Sequence, residues 1–309
     1  MRVLVADPYY SIEEISEIIG DLADIERRDA PWEGDDVVGL LVSPDQPVGA
    51  AELDRLPALR IVATCSVGYD NVDTAAAADR GIWVCNVPDY CVEEMADTSL
   101  ALLLALMRGV VALDRSVREG KWDHAVAGPL RTNRGTRLGI IGFGRIGRSL
   151  AARALALGFE VCAVDPHLPD EAIAGYGVHP LTLDQALSSC EVFSLHSLLT
   201  DETRALIGAE EIARMPQGAL LVDTARAALV DFDAVLAALD SGHLAGAAFD
   251  VLPVEPPSAE VPAPERPTLI VNPHAGWYSP ATEREAYRRP AVSVREALEG
   301  RRPTDALAP

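Results

Sequence analysis

Residues 138–165 read LGIIGFGRIGRSLAARALALGFEVCAVD. An apolar run enters a turn with glycines at 142, 144 and 147, an Ala/Leu-rich helical stretch follows, and a second apolar run, 159–164, ends at Asp165. Two short apolar runs separated by one helix make a βαβ unit with parallel strands. Each glycine has a physical task in it. Gly142 permits the tight strand-to-helix turn, Gly144 lets the backbone approach a pyrophosphate, and Gly147 lets helix and strand pack closely. The amides of Arg145 and Ile146, at the helix start, face the anion. Asp165 stands where a carboxylate accepts hydrogen bonds from an adenosine ribose. Its charge repels the extra phosphate of NADP, so the unit reads as a site for NAD (NADH).

Nearly half of the 309 residues precede this unit, and the length has room for about two domains. Strand-like runs at 2–6, 37–43, 59–65 and 82–86 alternate with helical stretches at 12–22, 50–56 and 71–80. Such alternation implies a parallel sheet covered on both faces. Beyond the fingerprint, apolar runs at 192–195, 219–222, 246–249 and 269–271 supply further strands, 252–267 is a proline-rich loop, and 282–298 is helical. The expected architecture is α/β: two Rossmann-like or flavodoxin-like domains with parallel sheets and a cleft between them. Residues 1–92 plus 276–309 form a discontinuous substrate (catalytic) domain, and 93–275 form the NAD-binding Rossmann domain. The stretch 93–108 is too densely apolar for one amphipathic stripe, so it is expected to be buried between domains or against a second subunit. Residues 114–134 read as a helix followed by an extended arm.

Composition narrows the function classes. The longest apolar run, 100–107, is too short to cross a bilayer, which takes about 20 residues. The opening MRVLVADPYY lacks a signal peptide's pattern, so a cytoplasmic protein is expected. Five cysteines without a CxxC suggest neither a disulfide framework nor a metal site. A net charge of −21 argues against nucleic acid and anionic membranes as partners. Lys121 is the only lysine. The acidity fits a salt-rich cytoplasm and a GC-rich coding sequence equally.

In an open α/β sheet, function collects beyond the carboxyl ends of the strands. Three such places here carry reactive groups: Arg226 in DTAR, Glu255 in DVLPVEPP, and His274 in NPHAGW. Reversible oxidation of an α-hydroxy acid needs such a set. Arg226 can hold a carboxylate and polarise the neighbouring oxygen. His274 can exchange the hydroxyl proton as C2 and the nicotinamide exchange hydride. Glu255, if it meets the imidazole, fixes its tautomer and stabilises the imidazolium.

GIIGFGRIG, LVDTARAALVD, AAFDVLPVEPP and NPHAGW, with CSVGYDNVD and NVPDYCVEEMADTSLALLLAL upstream, resemble the D-isomer-specific 2-hydroxyacid dehydrogenase family over almost the whole chain. Within it, the chain looks most like the branch of C-terminal-binding-protein corepressors and bacterial dehydrogenases, and glycerate (hydroxypyruvate) reductases are also similar. The resemblance places the family's catalytic arginine, glutamate and histidine on Arg226, Glu255 and His274. It assigns the loop Ser66, Val67, Gly68 and Tyr69 to the substrate carboxylate, Asp250 to the nicotinamide carboxamide, and Thr224, Ala225 and Ser99 to the cofactor. Trp277 matches a tryptophan that closes over the substrate side chain. The family also implies a homodimer built on 93–108 and the following arm.

Three departures stand out. Ala227 and Ala228 follow the arginine where glycine is usual, Ser197–Leu199 replaces a segment that commonly has proline, and no regulatory domain is expected after the tail helix. The loop SPDQPVG after residue 42 holds no arginine or lysine, and Asp45 disfavours a second anionic group, so the expected substrate is a small monocarboxylic 2-oxo acid. The alternative to a dehydrogenase is a corepressor-like binding protein gated by dinucleotide, with incidental turnover.

Overall fold

A computed structural model describes residues 1–307, which fall into two compact units: Met1–Tyr90 together with the chain from Ser279 on, and Cys91–Tyr278.

The first unit contains β1 (Arg2–Val5), α1 (Ile12–Ile19), β2 (Asp24–Arg27), β3 (Val37–Val42), α2 (Ala50–Asp54), β4 (Ile61–Thr64), α3 (Thr74–Asp79) and β5 (Trp83–Cys85), of which all but β2 fall on expected runs. All pair in parallel in the order β2-β1-β3-β4-β5. Strands β3 and β4 are buried along their whole length, as a sheet covered on both faces requires. β2 escapes a hydrophobicity reading: its sequence is DIER, and it lies at the sheet edge, where Arg2 pairs with Glu26 and Asp36. Helices start where side chains satisfy their first amides. Ser11 Oγ accepts from the Glu14 N–H, and Asp73 Oδ1 from the Ala76 N–H.

The second unit contains α4 (Val92–Met107), α5 (Val110–Arg118), β6 (Arg137–Ile141), α6 (Arg145–Ala156), β7 (Glu160–Val164), α7 (Asp170–Ala174), β8 (His179–Pro180), α8 (Leu183–Ser189), β9 (Val192–Leu195), α9 (Ala209–Arg214), β10 (Ala219–Asp223), α10 (Phe232–Asp240), β11 (Leu244–Phe249) and β12 (Leu269–Val271). Its seven strands are parallel, in the order β12-β11-β10-β9-β6-β7-β8. Alternation along each strand separates two cores. Leu220 and Val222 join Leu150 and Phe159 on one face, while Ala219 and Leu221 join Leu187, Ile212 and Val235 on the other. Strand order reverses between β6 and β9, the place where open parallel sheets hold their ligands.

The last helix, α11 (Pro280–Leu298), returns to the first unit and packs on β3, β4, β5 and α1. Gly39 in β3 makes room for it, since a Cβ there would stand 3.1 Å from Val294 Cγ1. Arg295 pairs with Asp21 beyond α1.

Helix α4 answers one open question. Its buried residues Met95, Ala96, Ser99, Leu102, Leu103 and Met107 face its own sheet, against β9, β10, β11 and α6. Leu100, Leu104 and Leu106 remain partly exposed. The close approach depends on Gly246 in β11, where a Cβ would stand 3.1 Å from Leu106 Cδ2 and 3.2 Å from the Thr268 carbonyl. Among the described residues no single helix is long and apolar enough to cross a membrane. Gly246→Val should therefore overpack this face and cost about 1–3 kcal/mol, read as a lower urea midpoint at unchanged slope.

Candidate active site

The fingerprint turn has the shape its glycines imply. Gly142 has φ +93°, and a Cβ on it would stand 2.6 Å from the backbone of His196 and Ser197 at the end of β9. A Cβ on Gly147 would stand 2.4 Å from the Gly142 carbonyl oxygen, so the helix reaches the turn this closely because Gly147 lacks a side chain. Gly144 differs: a Cβ there would meet nothing within 4 Å. It is the N-cap of α6 and offers no side-chain cap, with Arg145 exposed and Ile146 half-buried after it. Asp165 ends β7 beside this turn, its carboxylate held by the Phe143 N–H at 2.9 Å and the His167 N–H at 3.0 Å. Open space over Gly144, uncapped helix amides and a fixed half-buried carboxylate fit a dinucleotide: pyrophosphate at the amides of Arg145 and Ile146, ribose at Asp165.

Adjacent strands of the same sheet present the three reactive groups. Arg226 follows β10 in extended conformation, and its Nη1 donates to the Ala225 carbonyl at 2.9 Å. Glu255 lies beyond β11 and His274 beyond β12, with His274 Nδ1 2.7 Å from Glu255 Oε2 and each side chain 34% exposed. The other carboxylate oxygen of Glu255 accepts the Leu252 N–H at 2.5 Å. Burial pushes the Glu255 carboxyl up, but His274, the Leu252 amide and the Arg226 charge outweigh it and hold it below the usual carboxylate range. Glu255 is thus an anion opposite Nδ1, and Nε2 is the ring nitrogen left for a reaction.

Two fully buried carboxyls brace these turns. His274 has φ +52°, rare for a side-chain-bearing residue, and Asp250 enforces it. The Asp250 carbonyl accepts the His274 N–H at 2.8 Å, Oδ1 accepts the Ala275 N–H at 3.0 Å, and Oδ2 accepts the Gly276 N–H at 2.8 Å. Burial raises the Asp250 carboxyl, and the two amides pull it back. A Cβ on Gly276 would stand 2.7 Å from Asp250 Oδ2, so the clamp needs glycine. Thr98 Oγ1 in α4 donates to the Gly276 carbonyl at 3.2 Å. The second carboxyl, Asp223, went unnoticed in the sequence although it stands inside DTAR. It is 0% exposed, its Oδ1 accepts the Ala225 N–H at 2.8 Å, and burial pushes it up to about 7.

Ser99, fully buried in α4, meets Thr224 Oγ1 at 2.8 Å and ties the DTAR turn to the helix. His196 was also missed: at the end of β9 its Nε2 lies 2.8 Å from Ser194 Oγ, and burial pushes its imidazole down to about 4. Its signal was the histidine closing the run 192–195. Trp277 Nε1 donates back to the His274 carbonyl at 3.1 Å. Ala227–Leu229 forms a short 3-10 turn, and neither Ala227 nor Ala228 has positive φ, so no backbone demand for glycine exists there.

In the first unit, Ser66–Tyr69 forms a loop after β4. Its carbonyls are occupied: Ser66 by the Val87 N–H, Val67 by Asn86 Nδ2 at 2.7 Å, and Gly68 by Ser66 Oγ at 2.5 Å. The amides of Val67, Gly68 and Tyr69 meet no acceptor among the described residues. Such a row of amides suits a carboxylate.

The chain is similar to known proteins. Residues 100–276 match the family model described as D-isomer specific 2-hydroxyacid dehydrogenase, NAD binding domain. A glyoxylate reductase of Korarchaeum cryptofilum is 38% identical over 267 residues, 85% of this chain and 78% of that protein. A glycerate dehydrogenase of Methylorubrum extorquens is 38% identical over 240 residues, 75% of this chain and 74% of its own. The crystal structure of D-lactate dehydrogenase from Aquifex aeolicus, complexed with NAD and lactic acid, superposes with a TM-score of 0.88 at 25% identity, covering 97% of this chain and 96% of that one. The chain belongs to the D-isomer-specific 2-hydroxyacid dehydrogenase family and is an NAD-dependent oxidoreductase of 2-hydroxy acids.

Proposed function

We propose that this enzyme interconverts a small monocarboxylic 2-oxo acid, such as glyoxylate, hydroxypyruvate or pyruvate, and its D-2-hydroxy acid, with His274, Glu255 and Arg226 as the reacting set. The observation that carries this reading is the 2.7 Å contact of His274 Nδ1 with Glu255, beside Arg226 on the neighbouring strand end.

NADH, when bound, supplies the hydride that C2 receives. The protein's residues do the rest. Arg226 holds the carboxylate and draws electron density toward the carbonyl oxygen. His274, with Nδ1 directed to Glu255, gives its Nε2 proton to that oxygen; in oxidation the neutral imidazole takes it back. The amides of Val67–Tyr69, with Ser66 shaping the loop, bind the carboxylate, and Trp277 covers the substrate side chain. Gly142, Gly144, Arg145, Ile146, Gly147 and Asp165 hold the dinucleotide, with preference for NAD over NADP. Ser99, Thr224, Ala225 and Asp250 line it. The loop after β3 supports an unphosphorylated substrate: Ser43 Oγ bonds Asp45, and no cation follows.

We also assign the protein to the cytoplasm, where its five buried thiols stay reduced, and to a homodimer. The segment after α4 exposes Val110, Val117, Val126, Leu130 and, at 91%, Trp122, an apolar set that a second copy would cover.

The first test follows NADH at 340 nm with short 2-oxo acids. His274→Ala and Arg226→Ala should each lower kcat/KM by roughly a hundredfold or more, leaving NADH binding nearly intact; near-normal turnover in either would refute the assignment. Glu255→Gln removes the anion that orients His274, and kcat/KM for reduction should fall roughly tenfold or more with NADH binding nearly intact. Sedimentation should find a dimer at micromolar concentration and a shift toward monomer in Trp122→Glu.

A further inference from the structure

The backbone groups of the fingerprint turn can be accounted for one by one. The Ile141 carbonyl accepts the His196 N–H at 2.7 Å, and the Gly142 N–H donates to the Val164 carbonyl at 2.8 Å. The Phe143 N–H donates to Asp165 Oδ2 at 2.9 Å. The Phe143 carbonyl accepts Arg148 Nε, which reaches back from α6, at 3.0 Å. The Gly144 N–H meets no acceptor among the described residues. The Phe143–Gly144 peptide thus carries a carbonyl tied to a side chain and an amide left open.

A trans peptide points its carbonyl and its N–H in opposite directions, so the bond to Arg148 fixes where the Gly144 N–H points. Turned over, the same plane would present a carbonyl oxygen to an anion that the helix start otherwise attracts. Glycine at 144 makes such a turn cheap, since no Cβ resists it. Another group has to hold the plane. The Arg148 guanidinium carbon stands 5.8 Å from the Phe143 ring centroid and 5.2 Å from that of Tyr176, and Nη1 donates to the Tyr176 hydroxyl at 3.4 Å. The two rings meet edge to face at 5.5 Å. Phe143 is fully buried and Tyr176, beyond α7, is half-exposed, so the guanidinium is fixed against both rings at the border of the core.

We propose that Arg148 is a positioning residue for the cofactor: it holds the Phe143 carbonyl back and so turns the Gly144 N–H toward the pyrophosphate, while Tyr176 keeps the guanidinium in place. The inference rests on the pyrophosphate lying over Gly144 at the start of α6. Arg148 acts through Nε and through a planar group that fits between two rings, which a lysine at the same place would not supply. In the sheet, β9 separates its turn from that of Arg226, so the effect falls on cofactor binding and not on the hydride step.

The test measures Kd for NADH by fluorescence, and for ADP-ribose, which keeps the pyrophosphate, and adenosine, which lacks it, by calorimetry. Arg148→Met removes the Nε donor, and Arg148→Lys removes it while keeping the charge. Both should weaken NADH and ADP-ribose about tenfold and leave adenosine within about twofold of wild type. In turnover, KM for NADH should rise by the same factor with kcat not lowered. Tyr176→Ala should weaken the two pyrophosphate ligands in the same sense, and Tyr176→Phe should keep wild-type affinity, because the ring holds the guanidinium. Wild-type NADH affinity in R148M, full rescue in R148K, or equal losses of adenosine and ADP-ribose would overturn the proposal. If the Arg148 variants do not fold, Tyr176→Ala, altered at a half-exposed ring, decides alone: wild-type affinity there overturns it. Gly144→Val checks the underlying placement, since a Cβ at 144 meets no protein atom within 4 Å. NADH binding as tight as wild type in that variant would instead remove the pyrophosphate from this turn.

Discussion

Every strand of the seven-stranded sheet runs the same way, and the chemistry of the molecule follows from that constraint. Parallel strands need a crossover after each one, so every carboxyl end opens into a loop on the same edge. The fingerprint turn, the Asp223–Arg226 turn, the Asp250–Glu255 loop and the His274 turn are four such loops on strands of one sheet. None is near another in sequence. Backbone pairing of β10, β11 and β12 sets the spacing of Arg226, Glu255 and His274, so these side chains inherit the rigidity of a buried ladder.

That rigidity is completed by acidic side chains that never reach water. Asp250 uses its carbonyl and both carboxylate oxygens on the three residues of the His274 turn, and so holds a backbone conformation that histidine alone would avoid. Asp223 holds the arginine turn through Oδ1, which accepts the Ala225 N–H, while Oδ2 has no hydrogen-bond partner. The two are joined directly, the Asp250 N–H donating to the Asp223 carbonyl at 3.0 Å. A strain at one of these turns is thus one hydrogen bond away from the other.

What the sequence made legible were features with a period or a spacing. The glycine fingerprint, the long apolar runs and the reactive residues just after them could be placed because hydrophobic strands and their carboxyl ends leave a pattern. Two edge strands left none: β2 is mostly charged, and β8 is a His-Pro pair recruited by its neighbour β7. The inner face of α4 was ambiguous because leucines lie all round it, and only the sheet shows which ones are covered. The aspartate of DTAR read as an ordinary turn residue. Its burial depends on strands β9 and β11, which are 28 and 26 residues away at the paired positions Leu195 and Phe249.

The scarcity of lysine has a practical side. Lys121 sits exposed next to Trp122, paired with Glu119 at 2.8 Å on the surface. Among the side chains, reagents that acylate amines find just this one. Dyes, biotin or a sensor chip coupled through lysine would attach to the apolar arm itself, blocking it or reporting on it. Tethering through another group leaves that surface in its native state.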